Sequence, residues 1–81
     1  MTLDEAIAEL TQRISAASAS SVVRITRVSG EEATIRAYAP IADENAIKEA
    51  TVDLTLQLLT SEGLDVQVLV YDIETSLPPE E

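Results

Sequence analysis

From Leu3 onward, apolar residues recur at intervals of three and four: Leu3, Ile7, Leu10, Ile14 and Ala17. At 3.6 residues per turn these fall on one stripe, so the spacing predicts an amphipathic helix. Thr2 and Glu5 stand at the head of that stripe with the spacing of a capping box. In that arrangement the threonine hydroxyl and the glutamate carboxylate each satisfy a backbone N–H that the first helical turn leaves free. Asp4 and Glu5 also sit at the positive end of the helix dipole. The Ser- and Ala-rich stretch from Ser15 to Ser21 predicts an end near Ala17 to Ala19.

The period then shortens to two. Val22 to Val28 is β-branched almost throughout and reads as a strand. Ser29-Gly30-Glu31 marks a turn, with Gly30 expected to take an unusual backbone angle. Glu32 to Tyr38 alternates, with Ala33, Ile35 and Ala37 on one face and Thr34, Arg36 and Tyr38 on the other. The two segments make a hairpin. A second helix is predicted from Asp43 or Glu44 to about Ser61, with Gly63 as its cap. Ile47, Ala50, Leu54 and Leu58 form its main stripe. Val52, Leu56 and Leu59 widen that stripe, so this helix is expected to be buried over a broad arc. Leu64 to Ile73 is the last strand, with Val66, Val68 and Val70 opposite Gln67, Leu69, Tyr71 and Ile73.

The order is therefore α-β-β-α-β, an α+β fold. The expected architecture is a three-stranded antiparallel sheet of strand order 2-1-3 with two helices packed on one face. Ala33, Ile35, Ala37, Val66, Val68 and Val70, with Val23 and Ile25, would meet the helices. Residues 1–75 read as a single domain, and residues 76–81, which include Pro78 and Pro79, as a disordered acidic tail.

Composition narrows what such a fold can do. The chain has 81 residues and is 46% hydrophobic, enough to offset chain entropy. It has no Phe and no Trp, and Tyr38 and Tyr71 are its aromatics, so the core must be aliphatic. A domain this small is marginal alone. Without Cys or His it has neither a disulfide nor a zinc site to reinforce it, which leaves self-association as the main way to bury more surface.

Fifteen acidic residues against five basic ones give a net charge of −10. That balance opposes binding to nucleic acid or to an anionic membrane surface. No apolar run reaches the length of a membrane span. Met1-Thr2-Leu3-Asp4-Glu5 lacks the basic start of a signal peptide, so a cytoplasmic location is expected.

No catalytic constellation is visible. Ser-His and Cys-His pairs are ruled out by composition. Gly30 and Gly63 are the two glycines, each assigned to a turn or a cap, so no phosphate loop exists. The acidic residues lack the spacing of a calcium loop. Asp43 with Glu44 and Asp72 with Glu74 belong to a helix start and a strand end. The expectation is no enzyme activity, no cofactor, no metal and no small-molecule ligand.

What organisation remains is in the placement of Arg and Tyr. The hairpin holds Arg24, Arg27 and Arg36, while both helices and the tail are acidic. By alternation the sheet face away from the helices carries Arg24, Arg36, Tyr38, Leu69, Tyr71 and Ile73, residue types favoured at protein interfaces. The sequence therefore reads as a small acidic, non-catalytic protein-interaction domain, a homodimer formed through this open sheet face. The alternative is an acidic decoy or inhibitor whose helical side occupies the basic groove of a nucleic-acid-binding protein.

Overall fold

The computed structural model of the chain describes residues 1–76. Apart from Ser76, the expected acidic tail lies outside the described residues. Helix α1 spans Leu3–Ala17 and opens on the predicted capping box. The Glu5 N–H donates to Thr2 Oγ1 at 3.1 Å, and the Thr2 N–H donates to Glu5 Oε1 at 3.0 Å. The bond from the Thr2 backbone, followed by the contact with its side chain, holds the Glu5 carboxyl below the usual carboxylate range. A carboxyl depressed in the folded state stabilises the fold above its unfolded-state pKa. That contribution is lost as pH falls through the folded value. Thr2→Ala removes the cap and is expected to cost about 1 kcal/mol, read as a lower urea midpoint at unchanged slope.

Strands β1 (Val22–Arg27) and β2 (Glu32–Ala39) form the expected hairpin. Its turn differs from the sequence reading. The N–H groups of Val28 and Ser29 both donate to the carbonyl of Glu32, at 2.9 and 3.2 Å, and Gly30 keeps an ordinary negative φ. A short 3-10 turn, Ile41–Asp43, leads into helix α2, Glu44–Gln57. The hydroxyl of buried Ser18, which ends α1, donates to Asp43 Oδ2 at 2.7 Å and ties the two helix ends together. Helix α2 continues through a π-helical turn, Leu58–Glu62, to Gly63, whose φ of 67° places it in the left-handed region that glycine tolerates. The N–H groups of Gly63 and Leu64 both close on the Leu58 carbonyl. Strand β3 follows, Asp65–Asp72.

The α+β class holds, but the sheet is not the expected antiparallel 2-1-3 arrangement. Its order is β1-β2-β3, with β1 and β2 antiparallel and β2 and β3 parallel. Two physical facts favour this. A strand–helix–strand segment packs its helix most directly when the second strand lies parallel beside the first. And β2 is the strand whose side chains are best covered: Ala33, Ile35, Ala37, Tyr38 and Ala39 are all buried. Strand β1 becomes progressively exposed toward Arg27 and suits an edge.

The core lies between one sheet face and the two helices. Leu3, Ile7, Leu10 and Ile14 of α1 and Ile47 and Leu54 of α2 close on Ala33, Ile35, Ala37 and Ala39. The three alanines let both helices approach the backbone of the central strand. Val23, Val68 and Val70 pack around this cluster as expected, but Ile25 is exposed, because β1 runs out from under the helices there.

Candidate interaction surface

Helix α2 cannot bury all of its apolar residues against a single sheet. Ile47, Leu54 and Leu58 turn inward with Thr51, whose hydroxyl donates to the Ile47 carbonyl at 2.9 Å. Val52, Leu56 and Leu59, expected to be buried, remain 55%, 59% and 53% exposed. They lie on the flank of α2 beside β3, the edge strand. Between them runs an open groove of about 590 Å³. Its walls are Val52, Leu56 and Leu59 on one side and the run from Asp65 to Leu69 on the other. Successive residues of β3 line it, which means that the groove follows the strand's free edge rather than one face.

The groove is sparsely charged, with one cation and one anion among its lining residues. Helix α2 runs opposite to β3, since it carries the chain back from the end of β2 to the start of β3. Lys48, at the beginning of α2, therefore stands at the end of the groove away from Asp65. The Lys48 ammonium is 3.6 Å from Glu44, and both side chains are exposed, so this helical pair is screened and contributes little.

Of the six residues expected to form an interface, Arg24, Arg36, Tyr38, Leu69 and Tyr71 lie together in register on the sheet face away from the helices, where Leu69 is exposed and the other four are half-buried or buried. Arg24 and Arg36 face each other across β1 and β2, both half-buried. Arg24 Nη1 donates to the Val23 carbonyl at 3.1 Å, and Arg36 Nη1 donates to Thr26 Oγ1 at 3.3 Å. Tyr38 and Tyr71 are neighbours in register on β2 and β3. Their rings stack with centroids 5.2 Å apart, and Tyr38 is only 6% exposed. Tyr38 is thus a packed residue of the open face. Ile73 lies one residue beyond β3, in a turn fixed by its N–H bond to Ala39. Leu69, 38% exposed, is the member that also lines the groove. Sequence reasoning assigned Val52, Leu56 and Leu59 to the core. The signal against this was available: a helix lying on one sheet needs an apolar arc of little more than 100°, and theirs lies outside it.

Among the described residues no cluster of His, Cys, Asp or Glu is placed to hold a metal ion, and no helix is long and apolar enough to cross a membrane. Comparison with protein-family models, with curated proteins and with solved structures finds no match to this chain. The reading of function therefore rests on the surface itself.

Proposed function

We propose that this chain is a small, acidic, non-catalytic protein-interaction domain that associates with itself. The observation that carries this reading is the exposure of Val52, Leu56 and Leu59 alongside the free edge of β3, with Leu69 at its border. Contiguous aliphatic exposure of this kind on so small a domain marks a contact surface. Covering it is worth about 25 cal/mol for each Å² removed from water. Of the residues of the open face, Leu69 joins this surface directly and Arg36 is its neighbour in register across the sheet. Tyr38 supports the fold.

Charge sets the conditions for the contact. Two chains of net charge −10 repel each other, and salt screens that repulsion while leaving the apolar contact intact. Sedimentation at high micromolar concentration is therefore expected to give a mass above that of the monomer, with association strengthening from low to moderate NaCl. A clean monomer at both salt levels would overturn the reading. A monomer that captures a basic protein and releases it as salt rises would instead be the acidic decoy.

A further inference from the structure

The two edges of the sheet are built differently. Strand β1 is short and carries Arg24 and Arg27, charges of the kind that keep an edge from pairing. Strand β3 is longer, and from Val66 to Tyr71 it contains no charge and no proline. Its backbone orientation follows from the bonds at its two ends. The Asp65 N–H donates to the Glu31 carbonyl at 2.9 Å, and the Ile73 N–H to the Ala39 carbonyl at 3.0 Å. Odd-numbered residues therefore turn their main-chain groups toward β2. With a period of two, Val66, Val68 and Val70 present their N–H and C=O groups to the open edge.

We propose that the occupant of this edge is β3 of a second copy, paired antiparallel about a two-fold axis at Val68, which joins the two sheets into one of six strands. The proposal rests on the self-association reading and specifies its geometry. Side chains directly opposite in an antiparallel pair point to the same face, so a two-fold axis perpendicular to the sheet keeps all four helices on one side. Centred on Val68, it sets Val68 against Val68 and Val66 against Val70, and each of these pairs exchanges the main-chain bonds left open in the monomer. A shift of the axis to Leu69 would set Val66 against Asp72. The same rotation brings the exposed flanks of the two α2 helices over the new junction, so that Val52, Leu56 and Leu59 of each copy are covered.

The charges at the groove ends support a second copy. Lys48 lies at one end and Asp65 at the other. An antiparallel two-fold places the Lys48 end of each groove beside the Asp65 end of its mate, so unlike charges stand at each end of the junction, Lys48 on the helix side of the sheet and Asp65 on its other face. Edge pairing supplies main-chain bonds, and the flanking side chains supply the selectivity for another copy of the same chain.

The test compares dissociation constants from sedimentation equilibrium for the full chain and its variants. Leu56→Lys, at a position exposed in the monomer, should raise the constant at least tenfold with an unchanged circular dichroism spectrum. Lys48→Glu should weaken the dimer, and Lys48→Glu combined with Asp65→Lys should recover part of the loss. Arg36→Glu, on the open face, should change the constant no more than a few-fold. Amide exchange gives a second readout that no mutation can confuse: Val66, Val68 and Val70 should become protected as concentration rises, whereas Gln67 and Leu69 are protected throughout. A dimer indifferent to Leu56→Lys but abolished by Arg36→Glu would overturn this geometry and keep self-association. A parent that stays monomeric would overturn both.

Discussion

Replacing Ile35 with alanine is expected to destabilise the fold by about 4 kcal/mol, the upper part of the range for a fully enclosed isoleucine. Ile35 is completely buried at the middle of β2, the strand that pairs on both sides. Helices lie over its side chain, and its neighbours in register are Ile25 and Val68. The site has little means of collapse, because the surrounding backbone is fixed by two ladders. A domain of this length has a total stability of about 4–12 kcal/mol, so the variant should lose about a third of it or more. Urea unfolding followed by circular dichroism reads this directly. A loss below about 1 kcal/mol would mean that the helices can close on the cavity, contrary to the tight packing expected of a protein interior.

Tyr38→Ala is expected to cost about 3 kcal/mol, the low end for loss of a buried aromatic. The residue sits on the face of the sheet opposite the helices, where an exposed side chain would cost no more than about 0.5 kcal/mol. It is nevertheless buried, with Tyr71 stacked against it. The two tyrosines should also be coupled: a double-mutant cycle with Tyr71→Ala is expected to return an interaction of about 1 kcal/mol. Independent effects of the two substitutions would show that the stacking contributes nothing beyond burial of each ring.

Much of this molecule is legible in its sequence where the information is local. Thr2 and Glu5 announce the start of α1, because a cap is made within one turn. Gly63 announces the end of the second helical segment, because the left-handed backbone there suits glycine. The alternation from Glu32 to Tyr38 gives the direction of each side chain of β2. Strand order is not local, and there the reading fails. Strand β1, with Val22, Val23 and Ile25, looks as apolar as a central strand, yet it is an edge. The clue was size rather than hydrophobicity: Ala33, Ala37 and Ala39 are small because two helices must approach the strand that carries them. Alternation likewise gave the face of Tyr38 but not its burial, since facing away from the helices does not mean facing water when a neighbouring ring covers it. The groove was hidden for a related reason. Val52, Leu56 and Leu59 look like core in a sequence, and only the width of a three-stranded sheet shows that it cannot reach them.

The parallel pairing of β2 with β3 has a consequence for how the chain reaches this state. In the hairpin, the innermost partners Arg27 and Ala33 are six residues apart, whereas every β2–β3 pair, such as Ala33 with Val66, spans thirty-three. Closing the longer loop costs about 1.5 kcal/mol more in chain entropy, and no bond of the second ladder forms before it is closed. The hairpin therefore assembles first, and β2 is briefly an edge strand itself until α2 has wound and delivered β3. Tyr38 and Tyr71 meet only at that last step. Since they are the aromatics of the chain, near-ultraviolet absorption and tyrosine emission report on the closing of the crossover, and in a stopped-flow refolding experiment they should trail the far-ultraviolet signal of the helices and hairpin.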